Sequence, residues 1–147
     1  MMKTLSLYLF SIFLTSPIVW SNDFESAKKR AVEEHKCILL NFSGSDWCGP
    51  CIRLYKDIFD QAAFQKMADS ELVLLNADFP RQKKNQLPKD LQKKNNTLAD
   101  KYNETGIFPL TVLLTPDGKV IKKWEGYPAG SAENFINQIK TAADASN

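Results

Sequence analysis

Residues 37–51 read CILLNFSGSDWCGPC, and this stretch decides the fold. Cys37 to Phe42 is an apolar run with the length of a buried strand. Ser43-Gly44-Ser45-Asp46 supplies turn residues. From Cys48 a helical pattern runs through Ile52, Tyr55, Ile58 and Phe59. Cys48 and Cys51 thus bracket Gly49-Pro50 where a strand turns into a helix. A disulfide closing so short a loop removes little entropy from the unfolded chain. The pair reads as a bond to be made and broken rather than as a staple.

Working outward, Asn22 to Lys36 has a helical stripe of Phe24, Ala27, Ala31 and His35, with Asn22 or Asp23 as its cap. Downstream, Gln61 to Asp69 suits a short helix and Leu72 to Ala77 a second buried strand. Pro80 to Asn95 is polar and basic, and reads as a loop that leads into a turn or two of helix over Asn96 to Tyr102. Leu110 to Leu114 is a third strand. Thr115-Pro116-Asp117-Gly118 is a hairpin turn, with Pro pre-set for its first corner and Gly for a positive φ. Val120 to Glu125 is the hairpin partner, and Ser131 to Ala143 closes the chain as a helix with Phe135, Ile136 and Ile139 facing in.

The N-terminus has its own pattern. Lys3 is followed by the apolar run Thr4 to Leu14, then Pro17 and the small residue Ser21. This is the pattern of a secretory signal. The run falls short of the roughly 20 residues that span a bilayer. The expectation is a signal peptide over residues 1–21, one domain over residues 22–147, and a periplasmic or otherwise secreted location. The full chain has 147 residues, 44% of them apolar and 24% charged. That composition is globular and long enough for a core without metal or disulfide staples. Its 19 Lys and Arg against 17 Asp and Glu give no reason to expect a nucleic-acid partner.

The chain has three cysteines, an odd number that does not suit a structural disulfide framework. Only a thiolate attacks a disulfide, and a helix N-terminus lowers the thiol pKa from about 8.5 by offering unpaired N–H groups and the positive dipole end. Cys48 sits at that terminus and is expected to attack; Cys51, one turn further in, is expected to resolve the mixed disulfide. Pro50 is tolerated in a first helical turn because its missing N–H would be unpaired there. Zinc would need two more ligands, and only Cys37 and His35 remain. A copper chaperone would place His or Met beside the motif, and none is there. A static disulfide stays as a third alternative. Cys37 is expected to be buried as a small apolar residue and His35 to lie at a helix end on the surface.

WCGPC at a strand-to-helix junction, Asp78 ending the second strand, the Phe108-Pro109 step, the Asp117-Gly118 hairpin and the last helix together resemble the thioredoxin superfamily. GSDWC, ADFP, the Lys-rich insert and GIFP also look like exported bacterial thioredoxin-like disulfide oxidoreductases of the DsbH-type periplasmic reductases. The resemblance implies an α/β thioredoxin fold: a mixed four-stranded sheet flanked by helices, with strand order 72–77, 37–42, 110–114, 120–125. It implies that Pro109 is cis against the cysteines, that the Phe108 backbone pairs with a bound peptide, and that Trp47, Gly49 and Pro50 form the rest of the substrate site. It implies a redox-active Cys48–Cys51 pair, a disulfide when oxidised, whose dithiol form reduces protein disulfides, because Gly-Pro is the pair found in reducing members. The partners are then proteins bearing disulfides or thiols. The exported compartment adds a membrane thiol relay as electron donor. No cofactor, no metal and a monomer are expected. The alternatives are a disulfide oxidase or isomerase, and a non-catalytic binding module.

Two departures stand out. The superfamily's buried Asp in the strand before the motif is matched by Asn41, which cannot ionise, and its Lys partner is missing from the apolar Leu72 to Leu75. Asp46 is expected to point to solvent. The insert over 80–101 carries Arg81, Lys83, Lys84, Lys89, Lys93, Lys94 and Lys101 against Asp90 and Asp100, a net of +5. It reads as a solvated face or as a docking surface for an acidic partner or membrane headgroups.

Overall fold

The computed structural model describes residues 18–146, so the expected signal peptide lies outside the described residues as far as residue 17. In chain order the elements are α1 (Phe24–Glu34), β1 (Cys37–Ser43), α2 (Gly49–Leu54), α3 (Ala62–Glu71), β2 (Leu72–Asp78), α4 (Lys89–Tyr102), β3 (Leu110–Leu114), β4 (Val120–Glu125) and α5 (Ala132–Asp144). The strands form one mixed sheet in the order β2-β1-β3-β4. β1 runs parallel to β2 and antiparallel to β3, and β3 pairs antiparallel with β4. This is the expected order. A parallel neighbour needs a crossover, which the helices between β1 and β2 supply.

Alternation along β1 divides the core. Ile38, Leu40 and Phe42 pack with Ala27, Ala31, Leu98 and Tyr102 of α1 and α4. Cys37 and Leu39 face the other way, toward Leu54, Phe64, Phe135 and Ile139. With a period of two, Asn41 shares the face of Leu39, and that face carries α2. The fold therefore brings Asn41 beneath the cysteine-bearing helix. β1 is buried along its whole length, as a central strand covered by helices on both sides must be.

Local chemistry sets the helix ends. Asp23 caps α1, its Oδ2 accepting from the Ser26 amide at 3.0 Å, and the bonded Lys94 ammonium pulls its carboxyl below the usual carboxylate range. α1 ends at His35, which is exposed and left-handed at φ 53°. Ser131 caps α5 through the Asn134 amide. After α2 the helical path widens into a π-turn over Tyr55–Phe59, which buries Ile58 and Phe59 while Ile52 and Tyr55 stay exposed.

The insert differs from the expected loop. α4 begins at Lys89, directly after Pro88, and is much longer than the turn or two expected over 96–102. Its buried residues are Asn95, Leu98 and Tyr102. Asn95 breaks the apolar periodicity in the sequence, yet it is 2% exposed. Its Nδ2 donates to the Asp78 carbonyl at 3.0 Å, so one polar bond replaces an apolar contact at that position.

Residues 18–21 belong to the folded body. Ser21 bridges Leu75 in parallel on the outer edge of β2, with the Ser21 amide donating to the Leu74 carbonyl at 2.8 Å and the Asn76 amide to the Ser21 carbonyl at 2.9 Å. The Trp20 ring lies 5.2 Å from Phe59 and 6.5 Å from Phe64, stacked on the latter.

Candidate active site

The strand-to-helix turn after β1 places the two cysteines. Cys48 is the N-cap residue of α2, and it is disulfide-bonded to Cys51. Cys48 Sγ accepts from the Cys51 amide at 3.3 Å. One of the free N–H groups of the helix start therefore points at that sulfur. Pro50 sits in the first turn, where it costs no hydrogen bond, and it is exposed together with Gly49. Exposure does not separate the two cysteines, at 4% and 5%. Helix position does, because only Cys48 has its sulfur on the helix end.

Trp47, next to Cys48 in the chain, packs against Phe108. The Trp47 indole Nε1 donates to the Phe79 carbonyl at 2.8 Å. Gly44 makes room for that indole, since a Cβ on it would collide with the ring. Phe108 meets Trp47 edge-on at 5.5 Å and Phe79 at 5.5 Å. The Phe108–Pro109 peptide bond is cis, and the Pro109 carbonyl accepts from the Gly126 amide at 2.8 Å. The site residues read from the sequence thus come from two segments, the β1–α2 turn with the start of α2 and the step into β3, while Phe79 after β2 and Gly126 after β4 hold Trp47 and Pro109 by hydrogen bonds.

Asp46 does not simply face solvent. Its carboxylate accepts from the amides of Arg81 and Gln82, both at 2.9 Å, and from Asn85 Nδ2 at 3.0 Å. The Arg81 amide, with Asn85 and Gln82, holds its carboxyl below the usual range. This staple fixes the loop 81–85 beside the motif, and the Arg81 guanidinium lies 3.5 Å from the Trp47 ring centroid. A carboxylate that pairs with amides so distant in sequence leaves no local signature.

Behind Cys51 lies a polar pocket. Asn41 is 5% exposed, and its Nδ2 donates to Asn76 Oδ1 at 3.2 Å. Ser43 Oγ is 3.3 Å from both Asn76 Oδ1 and Asp78 Oδ1. Asn41 Oδ1 has no partner among the described residues. Asn41, Ser43, Asn76, Cys51, Tyr55 and Lys56 line a cavity of about 340 Å³, room for several waters at roughly 30 Å³ each. Asn76 went unnoticed in the sequence. Its register opposite Asn41 could have been read from aligning the two strands, which places one Asn beside the other.

Cys37 is fully buried, its sulfur 3.2 Å from Ser146 Oγ. Among the described residues no group of three His, Cys, Asp or Glu side chains is placed to hold a metal ion, and no helix is long and apolar enough to cross a membrane.

Comparison with known proteins agrees with this geometry. A family model described as a thioredoxin-like domain matches residues 24–143. The chain is 32% identical over 132 residues to the disulfide bond reductase DsbH of Chlamydia pneumoniae, covering 87% of this chain and 77% of that protein. It is 25% identical to the thioredoxin-related protein DsbJ of the same organism, over 83% of this chain but 34% of DsbJ. Among solved structures, a DsbH oxidoreductase superposes with a TM-score of 0.79 at 27% identity, over 97% of this chain and 95% of that one. A thioredoxin from Thermus thermophilus matches in fold, with a TM-score of 0.64 at 13% identity over 86% of this chain and 87% of that one. The chain belongs to the thioredoxin-like family and, with its Cys48–Cys51 pair, is a thioredoxin-like oxidoreductase.

Proposed function

We propose that the chain reduces protein disulfides outside the cytoplasm, with Cys48 as nucleophile and Cys51 as resolving thiol. The observation that carries the roles is the Cys51 amide directed at Cys48 Sγ at the start of α2. In the reduced protein that N–H group and the helix dipole favour the Cys48 thiolate. The thiolate attacks one sulfur of the substrate disulfide. A Cys48–substrate bond forms, and the substrate S–S bond breaks to release a thiolate that takes up a proton. Cys51 then loses its proton to water in the cavity beside it. Its thiolate attacks Cys48 Sγ, restoring the Cys48–Cys51 disulfide and releasing the second substrate thiol. Two electrons pass from the dithiol to the substrate.

Trp47 and Phe108, with Gly49, Pro50 and cis Pro109, form the substrate-binding surface. Neither the amide nor the carbonyl of Phe108 has a partner among the described residues, which supports its pairing with an extended peptide. The reducing direction is supported by the Gly-Pro pair and by the similarity to a disulfide bond reductase. The signal-like N-terminus supports an extracytoplasmic site of action, with a membrane thiol relay as the source of electrons. The domain division proposed is a signal peptide over residues 1–21 and a thioredoxin-like domain over residues 22–147, with Ile18, Trp20 and Ser21 in contact with the folded body.

The test is trapping and titration. Cys51→Ser is expected to accumulate a mixed disulfide through Cys48, and Cys48→Ser none; equal trapping would overturn the roles. The potential is expected nearer the thioredoxin value of about −270 mV than the strongly oxidising end of about −120 mV. A value at the oxidising end makes the chain a disulfide donor, and a dithiol inert toward every disulfide makes it a binding module.

A further inference from the structure

The loop 81–85 is a product of packing rather than of local sequence, and it puts positive charge at the edge of the disulfide. Asp46 holds the amides of Arg81 and Gln82 and the side chain of Asn85, so the turn Lys83–Asn85 is fixed next to Trp47. Arg81 lies on the Trp47 ring, and Lys83 and Lys84 are exposed on the turn. Exposed Lys56 lines the cavity that reaches Cys51.

Among the described residues none of these four cations forms an ion pair, whereas Lys28, Lys36, Lys94 and Lys140 elsewhere do. The neighbouring carboxylates keep their charge but are held by neutral protein donors rather than by these cations. Asp46 is taken up by the loop amides. Asp78 accepts from the Ser45 amide at 2.9 Å and its hydroxyl at 2.5 Å. Asp57 accepts from the Tyr127 hydroxyl at 3.3 Å. A substrate reaching Cys48 past Trp47 therefore meets Arg81 on the Trp47 ring with the exposed Lys83 and Lys84 on the same loop, and exposed charges act over about one Debye length, roughly 10 Å at 0.1 M salt.

We propose that this rim selects disulfides flanked by acidic residues, so that the substrate class is acidic protein segments. The inference rests on the reductase reading above and names the substrates that reading leaves open. Charges arranged this way act mainly on encounter and orientation. The preference belongs to kcat/KM and weakens with salt. A few exposed pairs, each modest alone, correspond to about a three- to tenfold preference at low ionic strength.

The experiment uses the reduced protein and three peptides that share one disulfide and differ only in flanking residues, Asp, Asn or Lys. Thiol release is followed at about 20 mM and at about 500 mM salt. The expected order of kcat/KM is Asp over Asn over Lys at low salt, converging at high salt. Arg81→Glu/Lys83→Glu/Lys84→Glu is expected to invert the Asp-to-Lys ratio. Should that variant not fold, the salt dependence of the unaltered protein decides. Equal rates for the three peptides, or a preference for Lys, would overturn the acidic-substrate inference while leaving the reductase reading intact. Failure to reduce any of them, with both thiols titrated as free, overturns the reductase reading and this inference with it. Sedimentation with phosphatidylglycerol vesicles, combined with indifference to peptide charge, would assign the cations to a membrane surface and also overturn the proposal.

Discussion

Asn41→Asp replaces one buried amide by a group that can hold or release a proton beside Cys51. Asn41 is 5% exposed and its Oδ1 has no partner among the described residues. Its Nδ2 bond to Asn76 Oδ1 would be lost, and two carboxyl oxygens would stand where one amide oxygen does now. Burial disfavours the charged form, so the new carboxyl's pKa rises in the folded state above its unfolded value near 3.9. The sign follows from proton counting. Between the unfolded and folded pKa values the native state binds the extra proton, so stability falls as pH rises through that window and stays low above it. Each tenfold gain in the carboxyl's proton affinity costs about 1.4 kcal/mol once the group is ionised. A gain of about ten- to a hundredfold therefore corresponds to about 1–3 kcal/mol at pH 7, with little penalty near pH 3. The assay is a set of denaturant melts of the reduced variant and parent from pH 3 to 8, with reduction of a model disulfide at pH 7. The resolving step is expected to speed up, because a carboxylate beside Cys51 can accept its proton. A pH-independent stability difference with no gain in rate would refute the reasoning. It would show that water in the cavity already takes the Cys51 proton as fast as a carboxylate could.

Two further outcomes follow from the packing. Trp20→Ala is expected to destabilise the domain by about 2–4 kcal/mol, below the full range of about 3–5 for a large aromatic because the ring is half-buried; a melt within about 0.5 kcal/mol of the parent would show that residues 18–21 are dispensable. Asp46→Ala is expected to speed amide hydrogen exchange at Arg81 and Gln82, the two amides its carboxylate accepts from. In the parent, a carboxyl held below its usual pKa protects that loop above about pH 4 and loses its hold as pH falls through the depressed pKa; loop exchange no faster in the variant at pH 6 would count against the staple.

The sequence by itself determined the elements whose cause is local. The apolar runs of β1, β2 and β3, the Pro-Asp-Gly hairpin and the helix start at Cys48 each follow from periodicity and backbone preference within a few residues. WCGPC located the redox pair, and the resemblance built on it anticipated the strand order and the cis step at Phe108–Pro109. Tertiary structure alone decided the rest. α4 could not be read in full because its inward Asn95 looks polar, and the bond to the Asp78 carbonyl exists only once β2 is in place. Asn76 became Asn41's partner through the β1–β2 register, a pairing across 35 residues. Asp46 turned from a solvent-facing acid into the anchor of the loop 81–85, which carries Arg81 onto Trp47. Trp20, read as part of a removable signal, packs against Phe59 and Phe64. A hydrogen bond or an aromatic contact between distant residues depends on where the sheet and helices bring them, and a local pattern holds no record of that.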